Sequence, residues 1–282
     1  AISELTLDIL KNVAPEVRTE HVPHAVANDV FKKLSEEDID AFKKVNNLGY
    51  DPDGNKRFIF FWNNRNARRK QSGSLIFWFN DFLNRVGRDK ATLVMHTEPR
   101  DPNGQDLYAI KVKLGLDDNQ VKFSTNKLSI QELATLYNTA DCTINISDAE
   151  GFGLATLESL SCQTPIIVNM TGGLQEQVTD GKDWFGIGLN PSSKSIIGSQ
   201  EVPWIYEDRL NANQVIDAME KMYNMSKEER KDMGKKGRDH VMKNYSMKNY
   251  VEKWDNLLMD IHEQHGSWDT RKIKLWSLSK IL

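Results

Sequence analysis

Residues 142 to 160 constrain the fold of this chain more than any other stretch. Cys142, Thr143, Ile144, Asn145 and Ile146 are a short apolar run of the kind that becomes a buried strand, and Leu154, Leu157 and Leu160 then recur at helical spacing. Between them lies a short loop with two glycines, Gly151 and Gly153. A strand that ends in a glycine turn and opens a helix is the repeating unit of a doubly wound parallel sheet. The same rhythm recurs along the chain: Phe58 to Trp62, Ala91 to Met95, Val121 to Ser124, Ile166 to Val168 and Trp184 to Asn190 read as strands, with helical stripes between them. The predicted fold is therefore α/β, a doubly wound parallel sheet.

The loop also carries chemistry. Glycines let backbone approach a ligand without a side chain in the way, and the helix that follows points unpaired N–H groups at whatever sits there. Glu150 in the loop and Glu158 in the helix are placed to lean over one crevice at the strand's C-terminal end, where carboxylates accept hydrogen bonds from sugar hydroxyls. A plainer reading stands beside this one. Every doubly wound sheet has such turns, and the helix dipole favours a glutamate near a helix start in any case.

Glu150 and Glu158 are separated by seven residues, with Gly151-Phe152-Gly153 after the first; downstream come Pro165, Ile166, Ile167, Val168 and then Gly172, Gly173 and Glu176. In order and spacing these pieces resemble the E-x7-E motif and its continuation in retaining GT-B glycosyltransferases of family 4. The resemblance implies the Rossmann-like, nucleotide-sugar-binding half of a GT-B fold. It implies that Glu158 accepts from a ribose diol, that Glu150 orients the transferred sugar, and that the amides from Gly151 through Phe152 and Gly153 to Leu154 hold its hydroxyls.

The strand Phe58 to Trp62 runs into Asn63, Asn64, Arg65, Asn66, Ala67, Arg68, Arg69 and Lys70, a basic cluster entering a helix with Leu75, Ile76, Phe79 and Phe82. Cations at a strand's C-terminal end suit phosphate, though a solvated charge run or a nucleic-acid patch has the same composition. Arg65 and Lys70 match the R-x4-K pair that the resemblance assigns to the donor diphosphate. Asn126 and Lys127, after the third strand, fall where the family's backbone reads the nucleotide base; the glycine common at that place is missing. Gln163 likewise stands in a region where the family has a glycine.

Length and composition bound the rest. With 282 residues, 39% hydrophobic and 27% charged, the chain can bury at least one sizeable core. A net charge of -3 offers no general field for nucleic acid. Cys142 and Cys162 have neither metal-ligand nor disulfide-framework spacing and suggest a reducing, cytoplasmic setting. Asp51-Pro52-Asp53-Gly54-Asn55 resembles a metal-binding D-x-D, but ordinary turn chemistry explains it, so no metal and no cofactor is expected beyond a GDP- or UDP-linked sugar as substrate.

At the start, Leu5, Leu7, Ile9 and Leu10 form a helical pattern with no evident cap, followed by a short strand or crossing at His21-Val22-Pro23. Residues 1–24 are expected to be the end of an N-terminal acceptor domain, 25–245 the donor-binding domain, and 246–282 a C-terminal helix and tail that cross back toward that acceptor domain. Residues 191 to 209, with Pro203, Trp204 and Tyr206, read as an insertion, either a lid or a packed surface loop. Tyr250, Trp254, Leu257, Leu258 and Ile261 mark an amphipathic helix. The tail, with Ile273, Leu275, Trp276, Leu278 and Ile281 among Arg271, Lys272 and Lys274, suits either that domain or a membrane surface. The expected reaction is metal-independent transfer of a hexose, with retention, to a carbohydrate, lipid or protein acceptor. A non-catalytic sugar-nucleotide-binding module and a GT-B sugar-nucleotide epimerase are the alternatives.

Overall fold

The computed structural model describes residues 1–51, 53–267 and 270. The predicted membrane-contacting tail lies outside them. The order of elements is α1 (Glu4–Val13), α2 (Glu36–Val45), β1 (Phe58–Asn63), α3 (Ser72–Val86), β2 (Ala91–His96), α4 (Leu107–Lys113), β3 (Val121–Ser124), α5 (Ile130–Thr139), β4 (Cys142–Asn145), α6 (Leu154–Ser161), β5 (Ile166–Asn169), α7 (Leu174–Val178), β6 (Gly186–Leu189), β7 (Ser193–Ile197), β8 (Ile205–Arg209), α8 (Ala212–Asn224), α9 (Lys227–Asn244) and α10 (Met247–His265).

β1 to β6 form one parallel sheet in the order β3-β2-β1-β4-β5-β6. The alternation of strand side chains divides β1 between two cores. Phe58, Phe60 and Trp62 join Leu75, Phe79 and Phe82 of α3 and Val215, Met219 and Met222 of α8. Ile59 and Phe61 face the other way, onto Tyr137 of α5, Leu157 and Leu160 of α6 and Val241 of α9. The strand order reverses at β1, which is flanked by β2 and β4, and that switch point opens a crevice beyond the C-terminal ends of β1 and β4.

The structure corrects several expectations. α1 does have a cap, since Ser3 Oγ accepts from the Thr6 amide. His21 to Pro23 form no strand; the nearest pairing is an isolated bridge between Val26 and Ser246. The insertion is not an irregular loop. β7 and β8 pair antiparallel as a separate two-stranded ribbon, in which the β-prone residues Ile196 and Ile197 stand opposite Tyr206 and Ile205. The amphipathic face of α10 buries no residue.

Gln163 adopts φ of +63°, so it occupies the left-handed conformation that glycine supplies without strain. Its carbonyl lies so close to Gly234 that a Cβ on that glycine would stand 2.0 Å from it. That contact helps seat α9 against the end of α6.

Candidate active site

The loop after β1 and the loop after β4 meet at the switch point. A single 3-10 turn, Arg68–Lys70, brings Lys70 inward, and its Nζ donates to Glu150 Oε2. Both side chains are largely buried, at 9% and 12% exposure. Burial lowers the Lys70 pKa, opposed by the Glu150 charge. Arg69 reinforces the join by donating to the Ala149 carbonyl at 2.6 Å.

A cavity of about 350 Å³ lies over this pair, lined among others by Asn64, Lys70, Asn145, Glu150, Gly153 and Leu154. Its polar lining is rich in donors. Asn64 Nδ2 and Asn145 Nδ2 are buried and have no hydrogen-bond partner among the described residues. The start of α6 has Gly153 as its N-cap and no side-chain cap, which leaves first-turn N–H groups for a ligand. A buried donor without a partner costs roughly 1–3 kcal/mol, so these groups suit a molecule that brings acceptor oxygens.

Glycine has different roles along the loop. A Cβ on Gly151 would meet only Ile2, at 3.8 Å, so its backbone stands in open space. Gly153 has φ of +95°, which starts α6. Gly172, with φ of +51°, packs so tightly that a Cβ there would lie 1.6 Å from the Glu150 carbonyl, and one on Gly173 would lie 2.8 Å from Phe152 Cα. The Gly172-Gly173 pair thus supports the glutamate loop from behind.

Glu158 faces a separate hydrogen-bond chain. Asn63 Nδ2 donates to the Tyr137 hydroxyl and that hydroxyl donates to Glu158 Oε2, each at 2.8 Å. Burial raises the Glu158 pKa to about 7, against the lowering effect of the Tyr137 bond. Glu176, the last residue of the resemblance, is likewise raised to about 7 by burial and accepts from the Glu4 amide at 2.8 Å.

The other predicted residues stand apart. Arg65 pairs with Asp101 at 2.7 Å and is 63% exposed, rather than joining Lys70. Asn126 and Lys127 are exposed on the loop after β3 and do not line the cavity. The Phe152 side chain is a core residue, edge-on to His24 and Tyr245 at 5.3 and 5.8 Å between ring centroids, and its carbonyl accepts from Gln177 Nε2 at 2.8 Å. His96 bonds Ser124 at 3.0 Å, as a structural histidine does. Asp51 accepts from both the backbone and side chain of Asn55, which is turn chemistry. Cys142 and Cys162 are buried free thiols whose pKa values burial raises, that of Cys162 to about 12. The sequence reading did not single out Asn64 and Asn145 as candidate site residues. Their signal was slight: each is a polar residue at or just past the end of an apolar strand.

A larger crevice of about 1350 Å³ runs between α1, α7, α9 and α10. Its lining mixes Asp, Glu and Lys side chains without a focus, and it is not at the switch point. The smaller cavity is the better site on chemical grounds.

Residues 103–240 match the family described as Glycosyl transferases group 1. Residues 103–240 thus carry the likeness to a group 1 glycosyltransferase domain, on a sheet of the GT-B type. The match includes Glu150, Glu158 and Gly172-Gly173, whereas Lys70 lies before it. The trehalose synthase of Pyrococcus horikoshii is 25% identical over 162 residues, 56% of this chain and 33% of that protein. The D-inositol 3-phosphate glycosyltransferase of Streptosporangium roseum is 48% identical over 50 residues, 18% of this chain and 12% of that protein. The chain thus spans about a third of the length of the trehalose synthase. Among solved structures, sucrose-phosphate synthase from Thermosynechococcus elongatus superposes with a TM-score of 0.71 at 19% identity, covering 93% of this chain and 58% of that one. Anabaena HepE in complex with UDP-glucose does so with 0.70 at 15% identity, covering 92% and 63%. These likenesses show the fold: a parallel six-stranded sheet flanked by helices. Among the described residues, no helix is long and apolar enough to cross a membrane.

Proposed function

We propose that the cavity over Lys70 and Glu150 is the donor site of a retaining, metal-independent glycosyltransferase, which moves a hexose from a nucleotide-diphosphate sugar to an acceptor hydroxyl. One observation carries the reading. Lys70, the unpartnered amides of Asn64 and Asn145, and the uncapped start of α6 converge at the switch point of the sheet. Breaking the anomeric C–O bond leaves negative charge on the departing diphosphate, and preorganised donors aimed at that charge lower the barrier. In this reading Lys70 exchanges its bond to Glu150 for the phosphate. Glu150, released, then orients the sugar, and Arg65 contributes to the diphosphate only by leaving Asp101.

Glu158, held by Tyr137, accepts from the ribose diol, and the backbone of Gly151 to Leu154 meets the sugar hydroxyls. In this reading Asn126 and Lys127, on the loop after β3, contact the base once the donor is bound. The solved neighbour HepE is described with UDP and with UDP-glucose, which makes a uridine-linked glucose the first donor to try and GDP-mannose the second. The acceptor is a carbohydrate, lipid or protein hydroxyl, and the setting is cytoplasmic.

Thermal denaturation with UDP-, GDP- and ADP-sugars, on the parent and on Lys70→Gln, tests this. Ligand at a hundred times its Kd adds about 2.7 kcal/mol of stability. A shift with one nucleotide that shrinks in the variant supports the donor site and identifies the base. No shift with any nucleotide, or an equal shift in both proteins, rejects it.

A further inference from the structure

The β7–β8 ribbon returns to the sheet through Glu207, Asp208 and Arg209, and its attachment is polar. The Asp208 amide donates to the Asp148 carbonyl at 2.8 Å. Asn169 Nδ2 donates to the carbonyls of Ser147 and Asp208 at 2.9 and 2.8 Å, and Thr171 Oγ1 to the Asp208 carboxylate at 2.8 Å. The Glu207 side chain, only 2% exposed, accepts from both terminal nitrogens of Arg68 and from Arg209 at 2.6 Å. Arg209 reaches on to Asp148 at 2.7 Å. The Asp148 carboxylate also accepts from Gln71, and its amide donates to the Arg69 carbonyl at 2.8 Å.

Glu207 therefore joins, through one arginine each, the loop that carries Lys70 and the loop that carries Glu150. The cluster is balanced in charge, with Arg68 and Arg209 against Glu207 and Asp148. The outward residues Ile196, Trp204 and Tyr206 are 53%, 66% and 51% exposed, so apolar burial does not explain how the ribbon is held. The two carboxylates are buried, at 2% for Glu207 and 3% for Asp148, while the arginines that hold them reach solvent, Arg68 at 59% and Arg209 at 29%. Buried carboxylates bonded in this way fix one geometry rather than supply net stability.

We infer that Glu207 is a positioning residue: through Arg68 and Arg209 it sets the two loops so that Lys70 and Glu150 meet beneath the cavity. The part of this inference that concerns ligand rests on the donor-site reading; the part that concerns the loops does not.

The test measures amide hydrogen exchange on the ligand-free chain, then UDP affinity by titration, for the parent, Glu207→Gln, Glu207→Asp and the ribbon control Trp204→Ser. The expected result for Glu207→Gln is exchange at least about tenfold faster at residues 68–71 and 147–153, with β1 and β2 unchanged, and UDP binding weaker by about tenfold. Glu207→Asp keeps the charge and is expected to bring UDP affinity back to within about threefold of the parent, while Trp204→Ser changes neither readout. Should Glu207→Gln fail to fold, Arg209→Lys decides. It keeps the charge but cannot fork between Asp148 and Glu207, and it is expected to speed exchange at 147–153. Unchanged exchange in both loops, or equal acceleration throughout the central strands, overturns the inference. Faster loop exchange in a protein whose parent binds no UDP upholds the positioning role and rejects the donor reading.

Discussion

At the scale of single residues, the glycines of the site divide by what surrounds them. Gly172→Ala would drive a Cβ into the Glu150 carbonyl from a backbone at positive φ, so the expected outcome is a displaced glutamate loop and a loss of about 2 kcal/mol or more in denaturant unfolding. Gly151→Ala faces open space and is expected to change stability by less than about 1 kcal/mol while weakening donor binding. Glu158 gives a prediction in pH. Its carboxyl ordinarily titrates near 4.5 and in the folded chain near 7, because burial disfavours the charge. Between those values the folded form holds a proton that the unfolded form has lost, so this group's contribution is complete below pH 4.5 and fades as pH rises through 7. Glu158→Gln is therefore expected to stabilise the protein above pH 7, by up to about 3 kcal/mol, and to do nothing at pH 4. Thermal melts of both proteins across that range check the sign.

At the scale of elements, the joint between α6 and α9 shows how a local departure from the expected residue is accommodated. Gln163 is strained by its left-handed backbone, and replacing it with glycine relieves a penalty of about 1–2 kcal/mol while making the unfolded chain freer. The expected net result of Gln163→Gly is a gain of about 0.5–1 kcal/mol, read from the urea midpoint. Gly234→Ala, whose Cβ would strike the Gln163 carbonyl, should instead destabilise by more than that gain. Ser226 and Glu229 form the capping box that their spacing predicts, and Ser226→Ala is expected to cost about 1 kcal/mol.

At the scale of the whole molecule, burial is uneven. The sheet and the helices on its two faces hold the cores, whereas α1 and α10 bury no residue and leave Leu5, Ile9 and Val13, and Val251, Trp254 and Leu258, exposed. Arg18 reaches α10 through Asp260 at 2.6 Å, a half-exposed pair of small energetic worth. Amides in α1 and α10 are accordingly expected to exchange at least about tenfold faster than those of α3 and α6. The sequence by itself determined the parallel α/β sheet, since apolar runs and helical stripes are local periodicities, and it determined the loop that ends in Gly153, since a strand-to-helix turn is a local event. It also singled out Lys70 and Glu150 as candidates. Only the tertiary structure decided that these two meet, that Arg65 turns to Asp101, that Asn64 and Asn145 have no partner for their amides among the described residues, and that Glu207 bonds toward both loops. Residues 80 or 139 positions apart in the chain share no local pattern, and which charge pairs with which depends on where the sheet order and the ribbon bring their backbones.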